Sequence, residues 1–224
     1  MTQPTLATSG TTKPGRARPI LAVEGPIGAG KTTLARIIAA AWGADLAMEQ
    51  FEENPFLPLF YTDPPRYAWQ TQLHFLASRF DQLTDLPQTG GLLVCDYMFD
   101  KDRIFAELTL DGPALRRYRK LFAALRPAVP PVAGVVYLRA EVATLQARIA
   151  ARARPYEQGM DAAYLAALCR AYEAFFAGYA DAPVLRLDAS ALDYEHREAD
   201  RAAVLRQVRA AFGLPAPGGP QAPG

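Results

Sequence analysis

The sequence predicts an α/β fold in which a five-stranded parallel sheet is flanked by helices on both faces. Three observations carry that expectation. Continuous apolar runs of strand length recur along the chain, as parallel strands covered on both faces require. Longer segments with the period of amphipathic helices lie between them, an alternation that argues for a doubly covered parallel sheet. The first apolar run also leads through a glycine-rich connection directly into a helical pattern.

The first strand is read in PILAVE, ending at Glu24. The connection GPIGAGKT follows, and Leu34, Ile37, Ile38 and Ala41 then mark the face of a helix over 31–42. ADLAME supplies a short second strand that ends at Glu49. A connection punctuated by prolines leads to a long helix over about 66–85, where Trp69, Leu73, Leu76, Phe80 and Leu83 form one apolar stripe. GGLLVCD gives the third strand, ending at Asp96, with VAGVVYLR the fourth and PVLRLD the fifth. Helices are expected over 101–108, 112–125, 141–151, 161–180 and 195–212. No internal repeat is present.

A chain of 224 residues, half of them hydrophobic, is sized for one core. Residues 1–18 and 214–224 are polar or broken by Pro and Gly and read as disordered tails around a domain at 19–213. The N-terminal stretch has no apolar leader segment, and no apolar run reaches the roughly 20 residues of a membrane span. A cytoplasmic protein without a membrane partner is expected. The net charge of +1 gives no reason to expect nucleic acid as a partner. Cys95 and Cys169 are read as small core residues, and the separated His74 and His196 do not suggest zinc.

Gly25-Pro26-Ile27-Gly28-Ala29-Gly30-Lys31-Thr32, with Thr33 next, matches G-x-x-x-x-G-K-[ST] without a gap. Strand, loop and helix follow in the required order, so backbone N–H groups and the helix N-terminus can wrap phosphate oxygens. Lys31 would reach the β- and γ-phosphates and Thr32 would meet Mg2+. Ligands of such sheets gather beyond the carboxyl ends of the strands, and Glu49 and Asp96 stand at two more of those ends. Asp96 is the candidate second metal ligand and Glu49 the candidate acceptor of a hydroxyl proton, with Glu52 and Glu53 close by. Arg148 and Arg152 lie on one helix face, with Arg154 just beyond and Pro155 and Gly159 in the following loop, as in an arginine lid over a triphosphate. Gln72 and Arg79 share a face beside the apolar stripe, where a glutamine could address a nucleobase edge or merely border the core.

Taken together, EGPIGAGKT, FEENPFL with FYTDPPRYAWQTQLHFLASRF, DYMFDKDRIFA and RARPYEQGM resemble the deoxynucleoside kinase family, in particular its bacterial deoxyadenosine/deoxyguanosine kinase branch. The resemblance runs from about residue 20 to 193. It implies a P-loop kinase fold with an arginine-rich lid, ATP as phosphate donor with Mg2+, a purine deoxynucleoside as small-molecule acceptor in nucleotide salvage, and a homodimer. It makes Glu49 the base for the 5'-hydroxyl and gives Tyr61 and Glu157 the sugar 3'-hydroxyl. Gln72 and Arg79 fall to the base, with Gln70 as a competing match. Arg148, Arg152 and Arg154 become the lid arginines.

One departure stands out. Animal members place an arginine directly after the third-strand carboxylate, whereas Asp96 is followed by Tyr97 and Met98. Lys101 or Arg103 would supply that charge, and either Asp100 or Asp102 could brace Arg79. Thymidylate kinase and related monophosphate kinases share the sheet, loop and lid, but CDYMFDKD offers three aspartates and one lysine where a phosphorylated acceptor would want arginines. An NTPase switch is disfavoured by the lack of an N-K-x-D segment and of a strand ending in Asp-Glu.

Overall fold

The computed structural model describes residues 18–87, 90–157 and 160–218. Five strands pair in the order β2-β3-β1-β4-β5, every pairing parallel. They are β1 (Ile20–Glu24), β2 (Asp45–Ala47), β3 (Leu93–Cys95), β4 (Gly134–Arg139) and β5 (Val184–Asp188). The helices are α1 (Lys31–Trp42), α2 (Leu57–Thr62), α3 (Pro64–Thr84), α4 (Lys101–Thr109), α5 (Gly112–Leu125), α6 (Val142–Arg152), α7 (Ala162–Ala177) and α8 (Glu198–Phe212).

The central strands are buried on both faces because alternate side chains feed different cores. Leu21 and Val23 of β1, Val94 of β3 and Val136 and Leu138 of β4 pack with α1, α6 and α8. On the opposite face Ile20, Leu93 and Cys95 meet α3 and α5, while Ala22, Val135 and Tyr137 meet α4 and α7. The chain runs β1, β2, β3 to one side and then crosses to β4 and β5, so the crevice beside the C-terminal end of β1 is the topological switch point.

Local chemistry explains the element ends that frame this crevice. Asp63 caps α3 by accepting from the Arg66 N–H, with Pro64 and Pro65 in the first turn where no amide is required. Asp161 caps α7 through the Ala163 N–H at 2.9 Å.

Three expectations change. The second strand stops at Ala47, short of Glu49, because the Glu49 N–H turns to the Asp96 carboxylate instead of the sheet. On α3, Leu76 and Leu83 of the expected stripe are buried, but Trp69, Leu73 and Phe80 are only partly so. Gln72 and Arg79 are more enclosed than those three. The C-terminal residues up to Gly218 are packed: Leu214 joins the α1–α8 core, the Trp42 indole donates to the Pro215 carbonyl at 2.9 Å, and the Gly218 N–H reaches the Ala41 carbonyl. Most of both expected tails, 1–17 and 219–224, lies outside the described residues. Arg18, counted with the first tail, bonds the Gly91 carbonyl and pairs with Asp45. Among the described residues no helix is long and apolar enough to cross a membrane.

Candidate active site

The connection from β1 to α1 closes on itself through the Ala29 N–H and the Pro26 carbonyl at 3.1 Å. Two of its glycines are required by space and backbone. Gly30 caps α1 with φ 94°, and a Cβ there would stand 2.4 Å from the Tyr194 hydroxyl. A Cβ on Gly25 would meet the Leu138 carbonyl at 2.5 Å. Lys31 folds back over the loop, its Nζ donating to the carbonyls of Gly25 at 2.8 Å and Pro26 at 3.1 Å. Burial lowers the Lys31 ammonium to about 8, aided by the charge of Lys101 and opposed by Glu24, Glu49 and Asp96.

Asp96 follows β3 directly and ties three segments together. One carboxylate oxygen accepts from the Thr32 hydroxyl at 2.5 Å and the other from the Glu49 N–H at 2.7 Å. Glu49 is thereby placed although β2 does not reach it. Its Oε1 accepts from Arg79 Nε at 2.9 Å and pairs also with a second nitrogen of that guanidinium, and its Oε2 accepts from Lys101 Nζ at 2.6 Å. Burial would raise this carboxyl, but Arg79 and Lys101 outweigh it and hold it well below the usual carboxylate range.

The other arm of Arg79 pairs with Asp102, which is fully buried. Two acids and two cations therefore balance each other, the condition under which charges persist inside a protein. Burial pushes the Asp102 carboxyl up to about 7 against the pull of Arg79, and its Oδ2 has no hydrogen-bond partner among the described residues. Asp100 instead faces Arg126 at 3.4 Å, and Arg103 is exposed. Of the alternatives left open by the sequence, the structure brings Lys101 to Glu49 and Asp102 to Arg79.

Glu49, Arg79, Asp96 and Lys101 line a cleft of about 800 Å³, including the open solvent at its mouth. Ile27, Gly28, Lys31 and Thr32 border it on one side, with Glu49, Gln72, Arg79, Asp96 and Lys101 beyond. Gln72 lies 2 % exposed with its Oε1 unpartnered among the described residues, whereas Gln70 does not line the cleft. The walls are aromatic: Phe51, Phe75, Phe105, Tyr61 and Tyr164. Phe60 lines the cleft as well, and the sequence alone singles out none of these four phenylalanines. Phe75 stands three residues after Gln72 and four before Arg79, on the same helical face, so the spacing did carry its signal.

Arg152 and Arg154 line the cleft and hold Glu157, at 2.7 Å from Arg152 Nε and 3.7 Å from Arg154. The Arg154 guanidinium also covers the Phe51 ring at 4.2 Å. Tyr61 stacks on Tyr156, ring centres 6.1 Å apart. Gln158 and Gly159 of the expected lid fall outside the described residues. Arg148 does not join the other two arginines. One turn earlier on α6, it donates to the Ala29 carbonyl at 3.3 Å and the Ala189 carbonyl at 2.7 Å, bracing the phosphate loop against the turn after β5.

A family model described as deoxynucleoside kinase matches residues 21–212. The chain belongs to the deoxynucleoside kinase family. It is 33% identical to a deoxyguanosine kinase of Bacillus subtilis over 199 residues, covering 85% of this chain and 96% of that one. A deoxyadenosine/deoxycytidine kinase of the same organism is 31% identical over 176 residues, 75% of this chain and 81% of the relative. Among solved structures, deoxyadenosine kinase from M. mycoides with bound dATP superposes with a TM-score of 0.76 at 24% identity, over 86% of this chain and all of that one. That likeness shows the fold, while the family match makes this chain a deoxynucleoside kinase, an ATP-dependent phosphotransferase.

Proposed function

We propose that this kinase transfers the γ-phosphate of ATP to the 5'-hydroxyl of a purine deoxynucleoside, deoxyadenosine or deoxyguanosine, with the residues of the cleft in the roles given below. The observation that carries this reading is the placement of Glu49. An ionised carboxylate, fixed by two cations, stands between a phosphate loop and an aromatic slot closed by an unpartnered amide oxygen.

The purine stacks among Phe51, Phe75 and Phe105 and is read at its edge by Gln72 and Arg79, with the buried Asp102 bracing Arg79 from behind. Tyr61 and Glu157 hold the sugar 3'-hydroxyl. Glu49 takes the proton of the 5'-hydroxyl as the oxygen attacks in line, and Lys101 steadies that carboxylate. Lys31, Arg152 and Arg154 spread the charge of a loose transition state, and the aromatic walls limit access of water. Arg148 acts on the phosphate loop's backbone and not on the transferred group.

The residues present fit Mg2+. Thr32 and Asp96 bring a hydroxyl and a carboxylate together at the mouth of the loop, and this hard cation takes few protein oxygens and completes its shell with phosphates and water. When bound, it would neutralise phosphate charge beside these two residues. The homodimer implied by the family resemblance is carried forward as part of the proposal and is tested by sedimentation equilibrium.

ADP formation from Mg-ATP, measured with each of the four deoxynucleosides and each of their monophosphates, tests the reading. Turnover with deoxyadenosine or deoxyguanosine and none with monophosphates is expected. Turnover only with a monophosphate would remove the roles given to Tyr61 and Glu157.

A further inference from the structure

Glu24 ends β1, is fully buried, and has no role in the chemistry above. Its carboxyl accepts three hydrogen bonds, one from the next residue and two from distant segments. Oε1 accepts from the Met98 N–H at 2.9 Å, and Oε2 from the Gly25 N–H at 3.1 Å and from the Tyr172 hydroxyl at 3.1 Å. Burial raises this carboxyl, with the charges of Lys101 and Lys31 opposing.

The two backbone partners of Glu24 also hold the two lysines of the site. Gly25 receives Lys31 Nζ on its carbonyl at 2.8 Å, while its N–H is held by Glu24. Met98 receives the Lys101 N–H on its carbonyl at 3.2 Å, while its own N–H is held by Glu24. Lys101 Nζ then reaches Glu49. Hydrogen bonds linked by covalent steps through Gly25, Met98 and Lys101 thus connect the phosphate-loop lysine to the candidate base, and Glu24 is the midpoint. Tyr172 joins the midpoint from α7, the helix that follows the arginine-bearing segment.

We propose that Glu24 is a positioning residue for phosphoryl transfer, its carboxylate clamping the junction of β1 and the phosphate loop to the turn at Met98 that leads into α4 and so setting the separation of donor and acceptor groups. This rests on the function proposed above. A carboxylate suits the place because both oxygens accept. A glutamine would turn an NH2 group toward either the Met98 N–H or the Gly25 N–H, leaving one arm of the clamp without an acceptor. Small displacements between reacting groups are costly in rate, so such a clamp acts on turnover without touching either substrate.

The test compares wild type, Glu24→Gln and Tyr172→Phe for kcat, both KM values, thermal midpoint, and the ratio of ADP formed to deoxynucleotide formed with ATP and a purine deoxynucleoside. Glu24→Gln is expected to lower kcat per folded enzyme roughly 10- to 100-fold with smaller changes in either KM. The ADP-to-deoxynucleotide ratio should rise above one, as misplaced acceptor lets water compete. Tyr172→Phe removes one donor of three and should act in the same direction by about 5-fold, the size of one hydrogen bond. Wild-type kcat and ratio in folded Glu24→Gln, even with a lowered midpoint, would reduce Glu24 to a structural role and overturn the proposal. Should that variant not fold, unchanged kcat and ratio in Tyr172→Phe would overturn it equally. Absence of deoxynucleotide from the wild type itself would overturn the proposed function together with the clamp, so the two failures are distinguishable.

Discussion

The two sides of the cleft are built by opposite means. The phosphate loop is contiguous in sequence and works mostly through backbone, its shape set by glycines that neighbouring atoms leave no room to replace. The acceptor side is assembled from side chains on the segment after β2, on α3 and on α4, and is held by the balance of Glu49 and Asp102 against Arg79 and Lys101. The glycines of the contiguous, backbone-built half leave no room for added volume. The dispersed, charge-balanced half is instead sensitive to changes of charge, because removal of any member leaves another charge buried and unmatched.

The sharpest way to break this contrast is at Glu49. Glu49→Gln is expected to lower kcat ~100- to 10,000-fold while leaving nucleoside affinity nearly unchanged, as steady-state kinetics and equilibrium binding would read. Unchanged turnover would show that the base lies elsewhere. A smaller effect of a different kind is expected on the other side. In Gly30→Ala the new methyl meets the Tyr194 hydroxyl, and the left-handed backbone adds about 1–2 kcal/mol of strain. Its KM for ATP should rise about 10-fold with nucleoside binding spared, and adding Tyr194→Phe should recover only part of the loss. Full recovery would mean that the contact alone, not the backbone, demands glycine. The smallest effect is expected at Gln72, where Gln72→Leu should raise KM for the preferred purine deoxynucleoside about 5-fold and flatten the preference among bases. A uniform loss with all four nucleosides would assign Gln72 to packing.

The same contrast explains what was legible beforehand. The five strands, their order along the chain and the loop were readable because each is a local pattern in sequence. Glu49 and Asp96 were found as strand-end carboxylates, although Glu49 owes its place to Asp96 and not to the strand. The choice of Lys101 over Arg103 was not readable, since α4 sends consecutive residues in different directions and only packing decides which one faces Glu49. Apolar periodicity also placed the buried face of α3 around to one side, because it counts hydrocarbon alone. Arg79 is enclosed by its ion pairs and Gln72 by the cleft, burial that no hydropathy pattern records. Arg148 shows the limit of spacing arguments, for sharing a helix face with Arg152 did not bring it to the same target.

The bond from the Trp42 indole to the Pro215 carbonyl gives this enzyme a built-in optical gauge. Trp42 is one of only two tryptophans in the chain and closes the helix that begins at the phosphate loop. Indole emission shifts when that hydrogen bond is exchanged for water, so peeling away the C-terminal segment would register as a change of colour. A label or fusion joined there would pull on the far end of the helix whose first turn cradles phosphate.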